Sequence, residues 1–297
     1  MTTIHSHKTG YLFALLAFTI FATQDAISKH LSDHYPPLMI TMIRYWAFAG
    51  FAVIITSRAK GGLRQGITTK RPLVQIFRGV LLALQIVVSL LSFRAAGLLH
   101  SQAIFSATPL LVAMLSVPVL GEAVGWRRWT AIVVGLCGVL IILNPRADGI
   151  DATLILPLIA ASMNAVYSVS TRLVSREDPA TTSFFYLGVA GATIMIVVGP
   201  FYWTNLAPVD WAWIVLLCAT GISSHFCLIK AYDHLDAVLV QPISYFQLVL
   251  ASFYGVLIFQ ETLRLNLVIG SLIVVGAGLF TIWREAAVRR KLAVEGQ

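Results

Sequence analysis

Three charged residues stand close together in otherwise apolar sequence. Asp25 and Lys29 are one helical turn apart, and Arg44 follows at a comparable depth in the next hydrophobic run. An ionised group in hydrocarbon costs several kcal/mol unless a partner or a water-filled cavity receives it. Two readings of the trio stand side by side: a structural ion pair that makes all three charges tolerable, or a gate built on a carboxylate that binds a proton or an amine. His225, in Ser223-Ser224-His225, has the same double reading. It could titrate near neutral pH and donate to a carboxylate, or sit neutral and bonded to a neighbouring helix. Arg78, about two turns into its segment, is expected to extend to the interface.

A second set is polar without charge: Gln24; Gln85 and Ser89; Ser101, Gln102 and Ser106; Asn164, Tyr167 and Ser168; Gln241, Ser244, Tyr245 and Gln247. Gln85 and Ser89 are four apart, as are Asn164 and Ser168, and Gln241 and Tyr245, so each pair shares one helical face. Hydrogen bonding between helices accounts for many such residues singly. It does not account for their concentration in some segments and avoidance of others. Phe105, Tyr167 and Tyr245 offer flat walls for an aromatic or cationic ligand. Pro109, Pro118, Pro157 and Pro242 free backbone carbonyls and suit elements that bend, with Pro109 and Pro242 the gating candidates beside Asp25 and Arg44. Gly135, Gly138, Gly276 and Gly278 suit close helix approach.

The elements that must carry these groups are membrane helices. Hydrophobic residues make up 58% of the 297 and charged ones 11%, against roughly a quarter in a soluble domain. Apolar segments fall near 10–30, 37–57, 72–93, 98–120, 126–144, 153–174, 180–203, 210–232, 237–260 and 265–284, ten in all. The first has no convincing cleavage site and reads as a retained helix. With a cytoplasmic N-terminus, 15 Lys and Arg fall on the cytoplasmic side and 4 outside, with Arg44 and Arg78 inside segments, which predicts that both termini are cytoplasmic. Trp126, Trp129, Trp203, Trp211 and Trp213 fall at segment ends as interfacial anchors. Cys137, Cys218 and Cys227 lack metal-type spacing and read as buried packing residues.

The two halves of the chain repeat. A shift of 139 residues places Gln102 on Gln241, Glu122 on Glu261 and Ala131 on Gly270, and a shift of 143 places Lys29 on Arg172 and Pro36 on Pro179. The predicted units are residues 1–145 and 146–297, the second ending in a basic tail. Five helices per unit make the second enter the membrane from the opposite side, a plan that puts a solute site near mid-membrane between the repeats. Glu122 and Glu261 end corresponding segments and are expected to pair with Arg128 and Arg264 or to cap backbone.

The duplicated unit, Leu120-Gly121-Glu122 matched by Phe259-Gln260-Glu261, and Lys230-Ala231-Tyr232 through Ala237–Pro242 to Tyr245 resemble the drug/metabolite transporter superfamily. Within it the chain is similar to the ten-helix, two-domain, EamA-type branch that includes bacterial aromatic amino-acid exporters. The resemblance implies a bacterial inner-membrane location and a central cavity lined mainly by segments one, three, four, six, eight and nine. Segments five and ten are implied to pack together at a seam.

The expectation is therefore an all-α integral membrane carrier of ten helices, exporting a small amphipathic solute by alternating access. An aromatic or other neutral amino acid is the first candidate, and a drug, cation or S-adenosylmethionine the alternative. The expected partners are the solute and the lipid bilayer, with no cofactor, metal or nucleic acid, and the chain acting as a monomer. No acid–base or metal constellation marks a membrane enzyme, and no ring of like charge or repeated filter marks a channel.

Overall fold

Long apolar runs bounded by proline and glycine become helices joined by short turns. The computed structural model describes residues 2–59, 62–121, 125–144, 151–174, 177–234 and 237–295, and among them there is no strand. The helices are α1 (Thr2–His34), α2 (Pro37–Arg58), α3 (Gly62–Gly66), α4 (Pro72–Ala96), α5 (Leu98–Phe105), α6 (Thr108–Leu120) and α7 (Trp126–Leu143). They continue with α8 (Ile155–Val174), α9 (Ala180–Val198), α10 (Asp210–His234), α11 (Ala237–Leu257) and α12 (Leu265–Glu295). Pro37, Pro72 and Pro109 occupy the first turns of α2, α4 and α6, where a missing N–H breaks no helical bond. Gly121 and Asn144 stop α6 and α7 in the left-handed conformation.

Among the described residues seven helical spans are long and apolar enough to cross a membrane, one of them Leu98–Leu120, which joins α5 and α6. Shorter apolar helices, Trp129–Leu143, Ile243–Leu257 and Leu265–Thr281, stand at the fifth, ninth and tenth segments. The fourth segment is not one continuous helix. It breaks at Ser106-Ala107 between α5 and α6, because Pro109 has no N–H to give the Phe105 carbonyl. By contrast, α11 runs unbroken through Pro242. Large apolar side chains such as Leu73, Phe201, Leu272 and Val197 face outward, as do Trp126, Trp129, Trp203, Trp211 and Trp213. The cysteines are free; Cys137 lies exposed on the outside of the bundle rather than buried, because its helix turns that face outward.

The packing follows a pattern. α1 lies against α10 and α11, and α8 against α4 and α6; α4 meets α9, and α10 meets α2; α2 faces α9, and α7 faces α12. Exchanging every segment for the one five places along reproduces the same set of pairs. Two polar latches obey the same exchange. In the α1–α2 turn, the Tyr35 hydroxyl donates to Asp210 at 2.5 Å and accepts from the Ala207 N–H at 3.0 Å. In the α8–α9 turn, Asp178 stands 143 residues after Tyr35, and its carboxylate accepts from the Thr69 hydroxyl, from Gln75 Nε2 at 2.8 Å and from the Lys70 N–H at 3.3 Å. Burial alone would raise the Asp178 carboxyl, but these donors outweigh it and hold it below the usual carboxylate range. Arg71 and Glu177 pair beside it at 2.6 Å.

The α7–α12 contact between the halves is built on close backbone approach. A Cβ on Gly138 would lie 2.9 Å from the Gly270 carbonyl, and one on Gly270 would lie 2.7 Å from the Gly138 carbonyl and 2.5 Å from Ile142. The α7–α12 seam therefore rests on Gly138 and Gly270. Gly276 has open space around it, while Gly135 faces Leu110 and Gly278 faces Tyr245. Overpacked sites cost about 1–3 kcal/mol. Gly270→Val is expected to lower the unfolding temperature in detergent clearly, whereas Gly276→Val should leave it nearly unchanged.

Candidate functional site

The charge nearest the middle of α1 finds amides rather than a cation. Asp25 Oδ2 accepts a hydrogen bond from Gln102 Nε2 of α5 at 2.7 Å and another from Gln247 Nε2 of α11 at 2.7 Å. Three helices thus meet on one carboxylate oxygen. Two residues earlier on α1, the Thr23 and Tyr254 hydroxyls lie 3.1 Å apart and tie α1 to α11 again. The break between α5 and α6 leaves Gln102 on the last turn of α5, with Phe105 packed on Phe93 at 5.8 Å between ring centres.

The ion trio read from the sequence does not form. Lys29 instead grips Asp33 one turn further on at 2.7 Å and lies 5.9 Å over the Phe259 ring. Its side chain points toward the end of α1, where a partner is available on its own helix. Arg44 is near enough for its charge to act on Asp25, yet no ion pair joins the two among the described residues. The guanidinium instead lines a small cavity of about 20 Å³ between α2, α4 and α10, with Tyr45, Phe48, Ile86, Cys218 and His225 around it. The His225 ring meets Phe21 edge-on at 5.2 Å and Phe48 at 5.9 Å. Gln24, one residue before Asp25, is buried with its Oε1 unbonded. A Cβ on Gly221 would stand 3.4 Å from that oxygen and 3.5 Å from Arg44 Nε, so Gly221 leaves a niche between them.

Other candidates fall outside these two groups. Gln85 Nε2 donates to Ser89 at 2.8 Å within α4, so the pair satisfies itself. Ser101 and Ser106 bond the backbone of their own helix. Tyr167 lies under the Arg78 guanidinium at 5.9 Å, while Asn164 and Ser168 are half-buried on the same helix. Arg78 does not reach an interface. It is 2% exposed and donates to the Ser183 carbonyl at 2.8 Å, because α8 and α9 close over it. The Tyr245 hydroxyl points at Gly278 of α12, and Ser244 is half-buried. The side chains of Gln241, Pro242 and Arg128, and the whole of Glu122, lie outside the described residues.

Glu261 takes the capping role. Its carboxylate accepts from the N–H groups of Leu98 and Leu99 at 2.7 Å each, at the start of α5. Gly97 makes this possible at φ 83°, since a Cβ there would sit 2.8 Å from Glu261 Oε1. The α11–α12 connection thereby holds the helix that carries Gln102. Gln247 is the member of the Asp25 group that repeat matching pointed past. Matching by shift selects Gln241, and only the angular position of α11 about its axis brings the later glutamine to α1.

Comparison with known proteins adds a family. The model of the EamA-like transporter family matches residues 8–144 and again 152–283. The S-adenosylmethionine uptake transporter of Rickettsia prowazekii is 24% identical over 282 residues, 95% of each chain. The riboflavin transporter of Vibrio cholerae is 28% identical over 306 residues, covering 98% of this chain and 99% of that one. The pseudopaline exporter of Pseudomonas aeruginosa is 24% identical over 278 residues, covering 91% and 94%. A protein of known crystal structure shares the fold with a TM-score of 0.61 at 21% identity, over 95% of this chain and 98% of the other.

Hydrogen bonds to a charged group contribute about 1.5–3 kcal/mol, and leaving such a group unpaired costs at least as much. Gln247→Leu or Gln102→Leu is therefore expected to lower thermal stability in detergent, and adding Asp25→Leu to either should recover much of the loss. Equal stability of the single and combined variants would mean that the amides do not hold the carboxylate.

Proposed function

Because the chain belongs to the EamA-like transporter family, we propose that it is an alternating-access carrier whose solute brings a cationic group to Asp25. It is a multi-pass membrane transporter of small molecules and not an enzyme. In the proposed topology ten helices form two inverted repeats, residues 1–145 and 146–297, with both termini in the cytoplasm of a bacterial inner membrane. The two matches to the family model, the packing pattern that survives exchange of the halves and the paired latches support that arrangement.

One observation carries the solute reading. Asp25 is a half-buried carboxylate held by two neutral amides, with no cation bonded to it among the described residues. Neutral donors position a charge without cancelling it, and the remaining negative charge favours an ammonium or sulfonium group. The proposed solute therefore has an α-amino-acid head and a flat ring. Aromatic amino acids fit that description, and so does S-adenosylmethionine, the solute named for several relatives. The proposed direction is export, as in the exporters that the sequence resembles; the relatives' names include both uptake and export. A neutral ring solute, of the kind named for the riboflavin relatives, would leave Asp25 without a counter-charge.

Counterflow from liposomes containing the purified chain separates these readings. L-Phenylalanine, L-tryptophan or S-adenosylmethionine is expected to exchange saturably, and Asp25→Asn to slow that exchange about tenfold or more, matching the loss of one charge-assisted contact. Riboflavin exchange with no amine-bearing substrate, or undiminished exchange in Asp25→Asn, would overturn the proposal.

A further inference from the structure

Arg44 presents the opposite problem to Asp25. Its guanidinium carries five donors and a permanent charge, stands seven residues into α2, and lines the cavity between α2, α4 and α10. Among the described residues it has no hydrogen-bond acceptor and no ion-pair partner. A guanidinium left so in low dielectric is a large uncompensated cost. Arg78, the other arginine within a span, has one carbonyl and a tyrosine face, with its Nε and Nη1 buried and unbonded. Arg44 faces space.

That space is shaped. Gly221 withholds a side chain from the point 3.5 Å from Arg44 Nε and 3.8 Å from Nη2, which leaves one edge of the guanidinium accessible. Gln24 flanks the same niche from α1 with its buried and unbonded amide oxygen. The oxygen and nitrogen of an amide exchange places by a half-turn, after which Gln24 would present a second donor to whatever Arg44 holds. Phe48, Leu82, Ile86 and Ile222 give the rest of the wall an apolar part, which strengthens a charge-assisted bond formed inside, with Tyr45, Cys218 and His225 completing it.

We infer that the niche between Arg44, Gln24 and Gly221 is a carboxylate subsite, and that this carrier selects solutes by their carboxylate as well as by their amine. A carboxylate accepts two parallel bonds from one guanidinium edge. Arg44 and Asp25 lie near enough for each charge to act on the other, so the two subsites are neighbours of opposite charge, which is the order of an α-amino-acid head. The transport consequence rests on the carrier reading above. The binding consequence does not.

Binding to the full-length chain in detergent is measured by calorimetry with L-phenylalanine, L-phenylalaninamide and 3-phenylpropionate. The wild type is expected to bind L-phenylalanine about tenfold or more tighter than the amide, and to bind 3-phenylpropionate. Arg44→Gln should abolish the preference for the acid. Gly221→Ala, whose methyl makes only ordinary contacts and keeps the arginine, should weaken acid binding and narrow the preference of acid over amide. Sodium acetate should compete where sodium chloride at the same ionic strength does not; equal competition by chloride would make the niche a general anion site and overturn the carboxylate assignment. Equal binding of acid and amide by the wild type, absence of binding by every carboxylate probe, or survival of the acid preference in both variants would each overturn it too. Loss of the amine preference in Asp25→Asn with the acid preference intact would support this subsite independently. Failure of all three probes to exchange in liposomes, with acid-selective binding retained, would count against the transport reading alone.

Discussion

Everything in the interior of this bundle is arranged around the cost of charge in hydrocarbon. A carboxylate and two guanidinium groups cannot be left bare there, and each is treated differently. Arg78 is closed over by α8 and α9 and given a carbonyl. Asp25 is positioned by two amides that leave its charge in place. Arg44 is left beside a cavity. Cancelling Asp25 against Arg44 would have been the simplest economy. Their separation keeps two opposite charges available side by side, which a transported zwitterion would satisfy and an empty bundle does not.

The surroundings hold that arrangement from both halves of the chain. Gln102 arrives on α5, whose first amides are capped by Glu261 from the α11–α12 connection, and Gln247 arrives on α11 itself. The break at Ser106-Ala107 separates the short α5 from α6, so Gln102 sits on a short element of its own. At the two ends of the bundle, the Tyr35 and Asp178 latches join the α1–α2 turn to the approach of α10 and the α8–α9 turn to the approach of α4. The Gly138–Gly270 contact closes the seam by close backbone approach.

Much of the fold was legible because it follows from local rules. Hydrophobic run lengths marked the segments, proline and glycine marked their ends, and the Tyr35/Asp178 relation falls on the same 143-residue shift that joins Pro36 to Pro179. Asp25, Arg44, Gln24, Gln102 and His225 were all nameable as expensive residues in apolar sequence. Their partners were less accessible. The trio of Asp25, Lys29 and Arg44 looked like an ion network because sequence proximity was the only available distance, and Lys29 had a nearer acid in Asp33. Gln247 depends on how α11 is rotated about its axis, and for the same reason the Tyr245 hydroxyl lies against Gly278, buried and unbonded. The niche at Gly221 is a property of a missing side chain, for which hydropathy has no signal. The burial of Arg78 likewise depends on helices more than a hundred residues away.

The central claim is that Asp25 and Arg44 are the two ends of one solute site. Solid-state NMR on the carrier in lipid, loaded with ¹⁵N- and ¹³C-labelled L-phenylalanine, measures it directly. The claim predicts the solute nitrogen within roughly 4 Å of the Asp25 carboxyl carbon and its carboxyl carbon at a similar distance from the Arg44 guanidinium carbon, the spacings of charge-assisted hydrogen bonds. Bound solute that shows contact with neither residue, or with Asp25 while Arg44 stays unperturbed, would contradict it.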